Sequence, residues 1–151
     1  MAGTLEGKIA VVTGGNSGIG LATAKLFQTE GATVVITGRR PAAVDAAVKE
    51  IGGDSVGFTS DTASLPAIRD LYDTINTRVG KIDVLFLNAG VAAFGPVESV
   101  DEATFDRMVN VNFKGLFFNV QQALPVLNDN AAILLTTTMA DQKGFPGPRP
   151  P

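Results

Sequence analysis

Thr13-Gly14-Gly15-Asn16-Ser17-Gly18-Ile19-Gly20 follows directly on the apolar run Lys8 to Val12 (KIAVV). It opens a segment of helical periodicity in which Ile19, Ala22, Leu26 and Phe27 share one face. The stretch therefore sits where a strand turns into a helix. There, glycines let the backbone turn tightly and approach a pyrophosphate, while the helix N-terminus offers free N–H groups and a partial positive charge. Gly14, Asn16, Ser17, Gly18, Ile19 and Gly20 are accordingly candidate contacts of a dinucleotide, with Asn16 and Ser17 adding short polar groups. The plainer alternative is an ordinary glycine-rich turn capped by Ser17. The glycines fit Thr-Gly-x-x-x-Gly-x-Gly and not Gly-x-Gly-x-x-Gly.

Outward from this turn, short apolar runs recur at Thr33 to Thr37, Ser55 to Thr59, Val84 to Leu87 and Ala132 to Leu135. Most are apolar on both alternations, as parallel strands covered on both faces require. Between them lie helical stripes: Val44, Ala47, Val48 and Ile51, then Ile68, Leu71, Tyr72, Ile75 and Val79. Gly31, Gly52 and Gly80 follow the helices where a left-handed cap is expected. This pattern predicts a doubly wound α/β fold with a parallel sheet. It also predicts one domain over residues 1–147, with an irregular Pro-rich tail at 148–151. A fourth helix, from about Phe105 to Leu127, is different. Its consecutive Leu116, Phe117 and Phe118 cover about 200° of the helix surface, which suits either a deeply buried helix or a subunit interface. Pro125 bends or ends it.

Other motifs stand at the ends of the later strands. Leu87-Asn88-Ala89-Gly90 follows the fourth, Asp61 lies just past the third, and Thr136 to Thr138 follow the fifth. Val111-Asn112-Phe113-Lys114-Gly115 lies within the fourth helix. Taken singly, Asn88 and Gly90 also suit a turn, Asp61 a helix cap, Asn112 a local polar bond and the threonines a strand end. Together with the glycine turn, and collinear from about Leu5 to Gly147, they resemble the short-chain dehydrogenase/reductase family. The resemblance implies a Rossmann fold of strand order 3-2-1-4-5. It implies cofactor contacts from Asp61 to the adenine and from Asn88, Ala89 and Gly90, an active-site Asn112, and Thr138 at the position of the catalytic Ser.

The second strand ends in Thr37-Gly38-Arg39-Arg40, without the acidic residue that bonds the ribose 2′-hydroxyl of NAD. Arg39 can stack on adenine or fork onto a 2′-phosphate, and Arg40 adds charge. NADP is therefore the expected cofactor, in preference to NAD. The alternative is that both arginines are solvated residues ahead of Pro41, which opens the next helix.

By resemblance the activity is hydride transfer between the nicotinamide and a small carbonyl or alcohol substrate, with a Tyr-x-x-x-Lys pair supplying the proton. Counting from Thr138 by the family's spacing, that Tyr falls at Pro151. The sole tyrosine, Tyr72, is followed four residues on by Asn76. The expectation is a chain truncated before the Tyr-x-x-x-Lys pair, with the later strands missing and with little or no turnover on its own. A catalytically silent dinucleotide-binding or partner-binding module is the alternative. The Phe-rich helix, stripped of neighbours, is expected to drive self-association through Phe113, Phe117 and Phe118.

Composition fits this reading. The 151 residues include neither cysteine nor histidine, which excludes a disulfide framework, thiol or imidazole triads, and zinc sites built on either residue. Twelve Lys+Arg against fifteen Asp+Glu give a net charge of −3, a poor match for nucleic acid. No signal-peptide stretch or membrane-length apolar run is present, so a cytoplasmic location away from membranes is expected.

Overall fold

The apolar runs become one parallel sheet because each offers side chains to both faces and thus needs helices on both sides. The computed structural model describes residues 3–138. Its strands are β1 (Ile9–Thr13), β2 (Thr33–Gly38), β3 (Val56–Thr59), β4 (Ile82–Leu87) and β5 (Leu127–Leu135), and they lie in the order β3-β2-β1-β4-β5. All pairings are parallel. The helices are α1 (Gly18–Thr29), α2 (Pro41–Ile51), α3 (Leu65–Arg78), α4 (Glu102–Val109) and α5 (Leu116–Ala123). A π-helical turn, Asn110–Gly115, joins α4 to α5, and a 3-10 turn holding Pro125 follows at Leu124–Val126. The doubly wound α/β expectation and its strand order hold.

Alternation along the strands divides the core in two. Ala10, Val12, Val34 and Ile36 pack with Ala24 of α1 and Val44, Ala47 and Ile51 of α2. Val11, Val35 and Leu85 point the other way, onto Ile68, Leu71, Tyr72 and Ile75 of α3 and Ala123 of α5. Gly31, Gly52 and Gly80 have positive φ (92°, 76° and 132°), as expected of left-handed residues behind helices.

Three sequence expectations need correction. The helix expected from Phe105 to Leu127 starts earlier, is widened by the π turn, and gives way to β5 at Leu127. β5 begins five residues ahead of the expected Ala132, with an irregularity in its register against β4 and a positive φ of 63° at Asn130. Phe118 packs against the α3 side of the core, whereas Phe113 and Phe117 are 73% and 56% exposed. The wide apolar arc thus serves the core with Leu116, Phe118 and Val120 and leaves Phe117 outside, its ring edge-on to that of Phe118 at 5.3 Å. The sheet edges also differ: β3 has four residues, β5 has nine, and Ile133, Leu134 and Leu135 are 39–46% exposed. The tail expected at 148–151 and the match at Gly144 to Gly147 lie outside the described residues. Among the described residues no helix is long and apolar enough to cross a membrane.

At the amino ends of the strands, Asp83 joins three neighbours. Its carboxylate accepts from Ile9 N–H (2.9 Å), Lys8 Nζ (3.3 Å) and Asn128 Nδ2 (3.1 Å). Burial alone would raise its pKa, but these hydrogen bonds outweigh burial and hold the carboxyl below its ordinary value. A lowered folded-state pKa stabilises the fold above the unfolded value, near 4, and that gain fades as pH falls through the folded value. Asp83→Asn is therefore expected to cost about 1 kcal/mol at pH 7 and progressively less at a pH below the unfolded value. Urea unfolding at the two pH values checks this, and an equal cost at both overturns it.

Candidate functional site

In an open sheet of this order the crevice lies at the carboxyl ends of the strands, where the chain winds from β1 toward β2 on one side and β4 flanks the other. A cleft of about 470 Å³ occupies that place. Its wall is built from Gly14, Asn16 and Ser17 after β1, from Thr37, Gly38, Arg39 and Arg40 at the end of β2, and from Ser60, Asp61 and Thr62 after β3. Asn88, Ala89, Gly90 and Val91 after β4 and Val111 of the π turn complete it. Nine of the twelve residues assigned from sequence to the cofactor are on this wall: Gly14, Asn16, Ser17, Arg39, Arg40, Asp61, Asn88, Ala89 and Gly90. Gly18, Ile19 and Gly20 lie outside the described lining, at the first turn of α1.

The floor is set by buried Thr13. Its Oγ1 accepts from the N–H groups of Asn88 (3.0 Å) and Ala89 (3.1 Å). Asn88 Nδ2 donates to the Thr13 carbonyl (3.4 Å), and Thr136 Oγ1 donates to Asn88 Oδ1 (3.1 Å). The side chain of Asn88 thereby ties the ends of β1, β4 and β5 together, which answers the simple turn reading. Thr136, not Thr138, makes this contact; Thr138 is exposed beyond the end of β5.

Above the floor, the first turn is shaped for close approach. Gly14 has φ +65°, and a Cβ there would lie 3.0 Å from Ala89 Cα. A Cβ on Gly20 would lie 2.3 Å from the Gly14 carbonyl oxygen and 2.7 Å from Asn88 Nδ2, so α1 starts directly against the turn. Ser17 is the N-cap residue, yet its side chain makes no capping bond. The helix ladder begins with Leu21 N–H to the Ser17 carbonyl (3.1 Å). The N–H groups of Gly18, Ile19 and Gly20 consequently have no acceptor within the helix, and they carry the positive end of its dipole.

The flanks differ in charge. Arg39 and Arg40 are exposed, and among the described residues neither enters an ion pair. Opposite in sign, Asp61 accepts from Ala63 N–H (3.0 Å) in a local turn, while Ser64 caps α3 by accepting from Ala67 N–H. Asp61 is thus not the helix cap. Asn112 is not locally bonded either. Its Oδ1 accepts from Val91 N–H (2.9 Å) and its Nδ2 donates to the Val91 carbonyl (2.7 Å), gripping the loop beyond Gly90. Gly115 closes the π turn against Thr62, whose carbonyl oxygen would be 2.2 Å from any Cβ at 115.

Sequence reasoning missed Thr37, Gly38, Ser60, Thr62, Val91 and Val111 as parts of the wall, and Thr13 as its anchor. Only Gly115 hinted at the close contact with Thr62. The remaining geometry suits an extended, doubly negative ligand: unpaired helix N–H groups at the middle, two guanidinium groups at one flank, and an amide-braced loop on the β4 side.

A family model described as short chain dehydrogenase matches residues 8–149. Oxidoreductase asL5 of Sarocladium schorii is 35% identical over 144 residues, covering 94% of this chain and 58% of that protein. The NADP-dependent (R)-specific alcohol dehydrogenase of Lentilactobacillus kefiri is 36% identical over 149 residues, covering 97% of this chain and 59% of its own. The solved Pseudomonas aeruginosa RhlG/NADP active-site complex superposes with a TM-score of 0.89 at 26% identity, over 95% of this chain and 59% of that one. The chain therefore spans about three fifths of the length of the curated relatives it matches.

Proposed function

The chain belongs to the short-chain dehydrogenase/reductase family, and on that premise we propose that its cleft binds a nicotinamide dinucleotide, NADP in preference to NAD, for carbonyl/alcohol oxidoreduction. The observation that carries this reading is the uncapped first turn of α1, seated on Gly14 and Asn88 with Gly20 as the only residue type that fits. When bound, such a cofactor supplies the hydride equivalent for reducing a carbonyl.

The chain's own residues divide the work of holding it. In this reading the N–H groups of Gly18, Ile19 and Gly20 take the diphosphate, while Gly15 N–H, which donates to the Thr37 carbonyl (3.1 Å), fixes the turn. Arg39 and Arg40 take the ribose 2′-phosphate, Asp61 the adenine end, and Asn88, Ala89 and Gly90 the far wall. Asn112, with both amide atoms committed to Val91, orients the loop beside the reacting end. Thr138 keeps a hydroxyl where the family has its Ser. NADP over NAD rests on the absence of a carboxylate at the end of β2 and agrees with the name of the Lentilactobacillus kefiri relative.

The second reading, a silent dinucleotide-binding or partner-binding module, is favoured by one observation. Tyr72, the sole tyrosine of the 151 residues, is buried in the core and not on the cleft wall. An NADPH fluorescence titration of this polypeptide, paired with a turnover assay on simple ketones, separates the two. Binding with reductase activity supports an enzyme, binding without it a silent module, and no binding at millimolar NADPH overturns both. Arg39→Ala is expected to weaken NADPH about tenfold or more, the equivalent of one charge-assisted hydrogen bond, while NADH binding changes little. Equal losses for both cofactors would sink the preference for NADP.

Self-association through α4, the π turn and α5 belongs to the same proposal. Phe105, Phe113, Phe117 and Leu124 are exposed, and together they exceed what a solvated helix face normally carries. Phe113→Asp/Phe117→Asp is expected to shift the sedimenting species from an oligomer to a monomer. A compact wild-type monomer at high concentration would contradict it.

A further inference from the structure

Tyr72 is 1% exposed on the inner face of α3, and Asn119 is 2% exposed on α5. Polar groups buried so deeply are costly unless each finds a partner. Here they find one another: Tyr72 Oη donates to Asn119 Oδ1 (3.0 Å), and Asn119 Nδ2 donates to the Gly115 carbonyl (2.8 Å). Two apolar residues of similar shape would fill the same space without that constraint. What the polar pair adds is a fixed position for Gly115, the last residue of the π turn.

That position matters because the π turn touches two separate parts of the cleft wall. Gly115 rests on the Thr62 backbone with no room for a Cβ. Asn112 grips the backbone of Val91 through both its N–H and its carbonyl. Thr62 and Val91 both line the cleft. We propose that the buried Tyr72–Asn119 pair is a positioning device: by pinning Gly115 it sets the π turn, and through it the separation of the Thr62 and Val91 walls between which the ligand lies. The inference rests on the dinucleotide reading for its purpose, but its mechanical part concerns the cofactor-free protein.

Tyr72→Phe removes the hydroxyl and keeps the ring. Two readouts follow. In cofactor-free protein, hydrogen exchange at the Val91 amide, which Asn112 protects, is expected to rise about fivefold, the equivalent of one hydrogen bond, relative to amides of β1 and β2. In binding, NADPH affinity is expected to fall by a similar factor, and the loss should vanish in an Asn112→Ala background because both changes act through one linkage. A purely structural role predicts the opposite: exchange rising uniformly with lost stability, and additive effects on affinity. Either result overturns the proposal. Should Tyr72→Phe not fold, Tyr72→Phe/Asn119→Leu, which leaves no buried partner unpaired in the pair itself, takes its place under the same criteria. If wild-type protein fails to bind NADPH, the dinucleotide reading falls, while the Val91 exchange measurement still decides the mechanical claim.

Discussion

Gly20→Ala is expected to lower NADPH affinity at least about 100-fold and stability by about 1–3 kcal/mol, the cost of forcing an extra methyl into a packed site. The added carbon would stand 2.3 Å from the Gly14 carbonyl oxygen and 2.7 Å from Asn88 Nδ2. The first obstacle is backbone and has no room to retreat, because Gly14 lies against Ala89. The second is held by the Thr13 carbonyl on one side, and Thr136 holds the same side chain on the other. Helix α1 must therefore move outward and carry its free N–H groups away from the cleft. Gly18→Ala is the control. Its φ is +53° with nothing within 4 Å of a Cβ, so it is expected to cost about 1–2 kcal/mol of backbone strain without a clash. A fluorescence titration and a urea denaturation curve read both effects. Wild-type affinity in Gly20→Ala would mean that the helix terminus does not hold the ligand.

Gly115→Ala acts at the opposite wall. Its methyl would meet the Thr62 carbonyl oxygen at 2.2 Å, Thr62 Cγ2 at 2.7 Å and the Asn110 carbonyl oxygen at 2.9 Å. The π turn would have to lift from the loop after β3, straining both the Asn112 grip on Val91 and the Asn119 bond to Gly115. The expected cost is about 2–3 kcal/mol in the urea midpoint, together with weaker NADPH binding. An unchanged midpoint would show that the π turn can shift freely.

The sequence revealed the strands that are apolar throughout and little of what is polar or coupled over distance. β1 and β2 were legible because parallel strands between two helical layers need apolar residues on both alternations. The second half of β5, from Ala132, was legible too, but its first half was not, since Asn128, Asp129 and Asn130 look like a loop and the irregular register with β4 leaves no sequence trace. The π turn was equally hidden: an extra residue in one helical turn changes no composition, and a continuous helix accounts for the same letters. It also blurs the sides of the fourth helix, since a continuous helix groups Phe118 with Phe113 and Phe117, which face outward. In the cleft, glycines and strand-end polar residues marked the wall wherever the main chain itself approaches. Thr62 and Val91 are not legible because their place depends on the π turn reaching across the fold, with the Gly115 backbone on Thr62 and the Asn112 amide on Val91.

The two rims of the sheet have different fates when an extended peptide drifts near. Four-residue β3 offers a docking stranger few rungs, whereas β5, the other rim among the described residues, is nine residues long and carries half-exposed leucines. A pairing of one such rim with its own copy would be isologous, closing on a two-fold axis and not running on head to tail.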